Sequence, residues 1–426
     1  MGTVLKSWIA SANIPACSFP LQNLPYGVYR AQDGRGHCCV AIGEELVDLT
    51  QLESAGLLDL GYQHRLFADG SLNQFMATGD TTWRLFRQRL MSLLTENGDP
   101  ELRINEVLRQ NVIRQRAPLT MLMPFKVTEY TDFYAGRRHA ENVGAILRGN
   151  SSLTPNWLSM PIGYNGRASS MVVSGTDIFR PLGQMRPVAT DPPVFGPTRQ
   201  LDFELEIGAV IGVPSPMGRP LTVEAAESMI FGYVLLNDWS ARDIQAWEYQ
   251  PLGPFQGKAF ATSISPWIVT REALEPFKVS TPERERALLP YLREPGPMLY
   301  DIGLEVTLAP AGATRATVIS RTNYREMYYS APQMLAHHAV AGCGMRTGDL
   351  LGSGTISGPT EDSFGSLLEL SWGMTRPLRL DTGETRCFLE DGDRLTLCGY
   401  ADGSDYRIGF GDCTGSVLPA PEKGAW

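Results

Sequence analysis

Cysteine is scarce and scattered in this chain, with seven among 426 residues, at positions 17, 38, 39, 343, 387, 398 and 413. None forms a C-x-x-C pair and the count is odd, which fits the reduced thiols of a cytoplasmic protein better than a disulfide framework or a cysteine zinc site. Basic residues are in deficit, 37 against 46 acidic, for a net charge of −9. That balance argues against nucleic acid and against anionic membranes as partners. It leaves room for an anionic small substrate in a locally basic pocket. No apolar run approaches the ~18–20 residues of a membrane span. The opening Met1-Gly2-Thr3-Val4-Leu5-Lys6 lacks the basic-then-apolar plan of a signal peptide and the hydroxyl residue of a myristoylation signal, and the closing Gly424-Ala425-Trp426 is not a peroxisomal tripeptide. The motifs G-x-S-x-G, H-E-x-x-H, the Walker loop and G-x-G-x-x-G are all missing, so serine-hydrolase, zincin and nucleotide-binding readings lack support.

What is present is ordinary soluble composition, 43% hydrophobic and 19% charged, in a chain longer than one core usually serves. Residues 1–118 read as a first unit. Tyr26-Gly27-Val28-Tyr29-Arg30 and Cys38-Cys39-Val40-Ala41-Ile42 are short strands joined through an Asp33-Gly34-Arg35-Gly36 turn, and Glu45-Leu46-Val47-Asp48-Leu49 continues the β pattern. Residues 82–96 are expected to form a helix with Leu85, Phe86, Leu90, Leu93 and Leu94 on its apolar side and Arg84, Arg87 and Arg89 turned away. A second helix is expected over 100–116. Residues 119–426 are rich in glycine, proline and short strands. Helices are predicted at 223–230 and 331–340, the latter with Ser330 and Gln333 as a capping box and Gly342 as its stop. Strands are predicted at 231–236, 265–270, 299–308 and 367–372, and as a pair within 386–400 turning at Asp391-Gly392. The pattern suits a mainly β, α+β chain, a small β-barrel followed by a β-sandwich or roll.

The most telling stretch is Leu201-Asp202-Phe203-Glu204-Leu205-Glu206-Ile207. Its alternation puts Asp202, Glu204 and Glu206 on one face of a strand, ~6–7 Å from one to the next. Carboxylates that close are either a solvated face or oxygen ligands for calcium or magnesium. In Asn237-Asp238-Trp239-Ser240-Ala241-Arg242-Asp243-Ile244-Gln245, Asp238 ends an apolar strand. It either caps the next turn and pairs with Arg242, or is a further metal ligand with Arg242 and Gln245 donating to substrate oxygens. Asp132 and His139, seven apart, share a face only if Tyr130-Thr131-Asp132-Phe133-Tyr134-Ala135-Gly136-Arg137-Arg138-His139 is helical. Lys258 lies in an apolar, glycine-flanked loop and either snorkels to the surface or needs a buried partner. Glu369, in an apolar strand, needs a partner, and a histidine would serve. His337 and His338 sit in a last helical turn, where the dipole favours cations, and read as structural. Gly352-Ser353-Gly354-Thr355-Ile356-Ser357-Gly358 brings backbone close to a ligand or makes a tight turn. His139-Ala140-Glu141 is half of a zinc-deaminase signature whose P-C-x-x-C partner is absent.

Taken together and in this order, Tyr130-Thr131-Asp132-Phe133-Tyr134, the 201–206 stretch, Asn237 to Gln245 and Ser353 to Gly358 resemble the fumarylacetoacetate hydrolase family over essentially the whole chain. The resemblance implies an SH3-like N-terminal domain, a C-terminal mixed β-sandwich roll and a cytoplasmic homodimer. It implies metal-dependent C–C hydrolysis of a β-diketo acid, fumarylacetoacetate, in tyrosine and phenylalanine catabolism. Carried over by position, Asp132, Glu204, Glu206 and Asp238 match the ligands of a calcium or magnesium ion. Asp238, Lys258 and Thr262 match a second magnesium position. His139 matches the catalytic base and Glu369 its orienting carboxylate, while Arg242, Gln245 and Lys258 match the oxyanion donors. Tyr134, Arg148, Tyr164, Gln245, Tyr249 and Thr355 match substrate contacts. Asn165 stands where the family pattern has histidine and Ala261 where it has glycine. A related β-diketo-acid hydrolase or decarboxylase of another pathway, and a non-catalytic metal-binding scaffold, are the alternatives.

Overall fold

A computed structural model describes residues 5–188 and 190–422. The targeting expectations rest largely on residues 1–4 and 423–426, which lie outside the described residues. No helix among the described residues is long and apolar enough to cross a membrane.

The first sheet is five-stranded and runs in the order Ile113–Gln115, Glu45–Asp48, Gly36–Ile42, Tyr26–Arg30, Met121–Leu122. The helix Asp80–Leu94 covers it, with Trp83, Phe86, Leu90, Leu93 and Leu94 buried. Two details depart from the expected helix. Leu85 is 54% exposed, and Arg87 is buried and donates to the carbonyls of Gln22 and Asn23. Helical spacing explains both, because Arg87 is four residues from Trp83 and three from Leu90, whereas Leu85 falls off that stripe. The helix expected over 100–116 is two pieces, Glu101–Ile104 and Glu106–Val112. Asn105 adopts extended backbone between them and caps the second through Leu108 N–H at 3.0 Å. Ile113 then enters the sheet opposite Val47.

The second sheet is the centre of the molecule. Its order is Gly163–Asn165, Tyr130–Phe133, Leu350–Gly352, Leu205–Ile211, Ile230–Asp238, Thr262–Ile264, Met171–Val173, with Val269–Thr270 also paired to Ile230–Asp238. Every residue of Leu205–Ile211 and Ile230–Asp238 is buried, as expected of strands covered on both faces. Ile207, Ala209, Tyr233 and Leu235 join the core shared with a five-stranded sheet built around Gly303–Ala309, Arg394–Asp402 and Arg407–Leu418. Val210, Val234, Leu236 and Leu350 face the other way, into the core of the N-terminal sheet and its helices. Of the expected strand over 265–270 only Val269–Thr270 is a strand, Thr262–Ile264 lying before it, and the Arg394–Asp402 strand pairs with Arg407–Leu418 rather than with residues near 386. The helices Val223–Met229 and Ala331–Ala339 are present, the latter with both halves of the Ser330/Gln333 capping box. Residues 367–370 are helical, not a strand.

Candidate active site

Register alone assembles the acidic cluster. Leu350 and Leu236 face the N-terminal core, so Gly352 and Asp238, each two residues further along, lie on the same face of the sheet. Gly352 pairs with both Gly208 and Asp132, and Glu206 pairs with Leu236. Asp132, Glu206 and Asp238 thus come side by side from neighbouring strands. Gly352, between the first two, has no side chain to intrude. A Cβ there would meet Glu206 Oε2 and the Tyr130 hydroxyl, each at 2.8 Å, and Asp132 Oδ1 at 3.3 Å. The glycine-rich stretch therefore approaches protein carboxylates: Gly354 N–H donates to Glu206 Oε2 at 3.0 Å. Glu204 completes the group just before the Leu205–Ile211 strand. Ligand atoms of Asp132, Glu204, Glu206 and Asp238, all four buried, lie within 4.8 Å of one another.

The third acid of the alternation goes elsewhere. The strand Leu201–Asp202 ends before Leu205–Ile211 begins, and Asp202 leaves the shared face at that break. Its carboxylate accepts from Arg242 Nε at 2.8 Å and from Leu367 N–H at 2.7 Å.

Two cations stand beside the acids. Lys258 Nζ donates to Glu204 Oε2, and to Asp238 Oδ2 at 2.7 Å. It does not snorkel, and as a charged ammonium it offers no lone pair to a metal. Arg242 Nη1 lies 2.8 Å from Glu204 Oε1, so Arg242 pairs with Glu204 and Asp202, not with Asp238. Thr262 Oγ1 donates to Asp238 Oδ1 at 3.2 Å. Burial opposes the Glu204 charge, yet Lys258, Arg242 and His139 draw its carboxyl down to about 2. Asp132 and Glu206 go the opposite way, well above the usual carboxylate range, through burial first and then repulsion from acidic neighbours. Asp132 Oδ1 and Glu206 Oε1 are buried with no hydrogen-bond donor. Excess negative charge, orphaned acceptors and an all-oxygen donor set fit a hard divalent cation.

His139 lies on the helix Arg137–Arg148 and Asp132 on a strand, so the two converge through the fold and not through one helical face. His139 Nδ1 is 2.7 Å from Glu369 Oε2, and its Nε2 is 3.9 Å from Glu204 Oε1. The Glu369 carboxylate also accepts from Asn142 Nδ2 at 2.9 Å, Ser357 Oγ at 2.9 Å and Ser366 Oγ at 2.8 Å. Burial works against its charge, but the His139 ring and these donors hold it below the ordinary glutamate value. Asn142, Ser357 and Ser366 are partners that motif reading missed. Ser366-Leu367-Leu368-Glu369 carried a signal for one of them, since S-x-x-E marks a helix start.

Of the expected substrate contacts, the Tyr134 ring sits edge-on to His139, with centroids 5.4 Å apart. Tyr164 pairs with Asp132 in register, and burial together with the Asp132 charge keeps its phenol protonated. Thr355 Oγ1 and Arg242 Nη2 are buried and unpartnered. Gln245 Oε1 accepts from Arg242 Nη1 at 3.4 Å. Arg148 and Tyr249 are exposed at the ends of their helices. Asn165 is exposed opposite Thr131, and Ala261 is buried in the core. His337 and His338 are bonded to Tyr291 and Thr131, and burial lowers both pKa values. Burial thus favours the neutral rings over the cations expected from the helix end.

A match to the fumarylacetoacetate hydrolase C-terminal family model spans residues 128–418, and one to the fumarylacetoacetase N-terminal model spans 22–124. Fumarylacetoacetase of Arabidopsis thaliana is 49% identical over 407 residues, covering 95% of this chain and 96% of its own. The Homo sapiens protein of the same name is 47% identical over 405 residues, covering 94% and 96%. Among solved structures, fumarylacetoacetate hydrolase from psychrophilic Exiguobacterium antarcticum shares the fold, with a TM-score of 0.53 and 19% identity over 93% of this chain and 99% of that one. The chain belongs to the fumarylacetoacetate hydrolase family. It is a hydrolase of that metal-dependent family.

Proposed function

We propose that this chain hydrolyses the C–C bond of fumarylacetoacetate, giving fumarate and acetoacetate, with calcium or magnesium held by Asp132, Glu204, Glu206 and Asp238. The observation that carries the reading is the direction of His139: its Nδ1 is fixed by Glu369, and its Nε2 opens onto the acidic cluster. A cation held by these four carboxylates would supply Lewis acidity toward the diketone oxygens and would offset negative charge on the departing fragment. His139 Nε2 takes a proton from water as the oxygen adds to the acyl carbon. Glu369 keeps the ring in the tautomer that leaves Nε2 free to accept, and stabilises the imidazolium that follows. In this reading Arg242, Gln245 and Lys258 donate to the oxyanion. Breaking the C–C bond leaves the electron pair on the acetoacetate carbon, and the proton held at His139 Nε2 returns to it. Tyr134, Arg148, Tyr164, Gln245, Tyr249 and Thr355 contact the substrate; the open Thr355 hydroxyl and Arg242 Nη2 support that placement. A second magnesium would be held by Asp238 and Thr262, since the Lys258 ammonium offers it no lone pair.

The same reading has residues 1–118 as a supporting domain, 119–426 as the catalytic one, and a cytoplasmic homodimer serving tyrosine and phenylalanine catabolism. It invokes neither nucleic acid nor membrane as partner, consistent with the −9 charge. The test is absorbance decay of fumarylacetoacetate with purified protein, with and without EDTA, then with added calcium or magnesium. Decay that EDTA abolishes and cation restores is expected. Stable substrate despite bound cation would redirect the search to other β-diketo acids.

A further inference from the structure

We infer that Asp202 is a positioning residue that locks Arg242 and the Glu369-bearing turn into one unit, an inference resting on the reaction proposed above. Asp202 is fully buried and lies outside the cation cluster. Its Oδ2 accepts from Arg242 Nε at 2.8 Å and Leu368 N–H at 3.1 Å, and its Oδ1 from Leu367 N–H at 2.7 Å and Phe203 N–H at 2.8 Å. The helix Leu367–Leu370 is one turn long. So short a helix does not hold itself together, and its first N–H groups need outside acceptors. Ser366 Oγ accepts the Glu369 N–H at 3.3 Å. Asp202 takes the two before it. The orientation of Glu369, and through it His139, therefore depends on Asp202. So does Arg242, whose other arm reaches Glu204 at 2.8 Å. One carboxylate thus ties the oxyanion donor to the orienter of the base.

Asp202→Asn keeps the shape but sets an amide against donors at one of its two oxygens. In the full-length protein, kcat is expected to fall about 10- to 100-fold, the size typical of losing an outer hydrogen-bond partner at such sites. KM should stay within about threefold, so that the loss falls on kcat and not on substrate binding. The calcium-induced rise in Tm should persist, since the four clustered carboxylates remain. Unchanged kcat per folded molecule, or loss of the calcium response, would overturn the inference. Should Asp202→Asn not fold, Arg242→Lys probes the linkage from its other end. Amide hydrogen exchange at Leu367 and Leu368 is expected to quicken at least about tenfold, and unaltered exchange overturns the linkage. Exchange needs no substrate. A wild type inert toward fumarylacetoacetate would therefore refute the proposed reaction and leave Asp202 to be judged on exchange alone.

Discussion

Two histidine–carboxylate pairs in this molecule have the same first contact and different surroundings. In the N-terminal sheet, His37 Nδ1 is 2.7 Å from Asp48 Oδ2; in the central site, His139 Nδ1 is 2.7 Å from Glu369 Oε2. Asp48 also accepts the Tyr29 hydroxyl at 2.7 Å and caps the helix Leu49–Ser54 through Gln51 N–H at 2.9 Å. The other ring nitrogen of His37 faces Asp33, 3.7 Å away on a half-exposed surface turn. His139 instead turns its free nitrogen toward Glu204 in a cluster of four carboxylates, two of which, Asp132 and Glu206, have unfilled acceptor positions. A short histidine–carboxylate contact is thus no mark of chemistry by itself. What distinguishes the two is the environment of the second nitrogen, because a base must face the atom it deprotonates.

The largest effect that separates them is on turnover. His139→Ala is expected to lower kcat about 10²- to 10⁴-fold, the range for loss of a general base, with the fold and the cation-induced Tm shift retained. His37→Ala is expected to leave kcat within twofold. Comparable losses at both positions, measured with fumarylacetoacetate, would erase the distinction. The next effect is on stability and runs the other way. Asp48→Ala strands the Tyr29 hydroxyl and the His37 ring and removes a helix cap. Unpaired buried groups cost about 1–3 kcal/mol, and a lost cap about 1 kcal/mol more. Urea unfolding should show a loss of that order, with kcat of the folded fraction unchanged. A loss below about 0.5 kcal/mol would mean that the N-terminal cluster holds nothing together.

The central site was readable from local pattern up to the point where the chain bends. Alternation over 201–211 sets Glu204 beside Glu206, and the two do cluster, although Glu204 sits in the break just ahead of the strand Leu205–Ile211. It misplaced Asp202, because the break at 203–204 depends on Leu201–Asp202 pairing with Ser240–Ala241, a contact no local window contains. The four apolar-and-acid residues Leu367 to Leu370 are too few to tell a strand from a helix by period. Ser366 was the better guide. The charge of Arg87 points to solvent, although its spacing from Trp83 and Leu90 puts it on the core face, where it is buried. The carbonyls that satisfy it belong to Gln22 and Asn23, far away in sequence. Site residues were legible where a motif fixed their type, as at His139 and Asp238. The surrounding Asn142 and Ser357 acquire a role only from tertiary position.

The smallest effect sharpens the contrast through pH. Without cation, Asp132 and Glu206 have folded pKa values raised well above those of free carboxyls, burial being the larger cause. A raised folded pKa gives stability that is present below the unfolded value, near pH 4, and is lost as pH climbs through the folded one. Glu204 has the opposite sign. Its folded value of about 2 gives stability present above pH 4 and lost only in strong acid, and Lys258 and Arg242 supply it without any cation. Cation binding requires Asp132 and Glu206 to be ionised, so it displaces their protons and cancels their loss. The calcium-induced rise in Tm should therefore be larger at pH 7 than at pH 5. The increment is about 1.4 kcal/mol per pH unit for each proton displaced. Asp48→Ala should leave this increment untouched, since the His37 pair lies outside the cluster. Equal calcium shifts at both pH values would mean that the cation binds somewhere other than these four carboxylates.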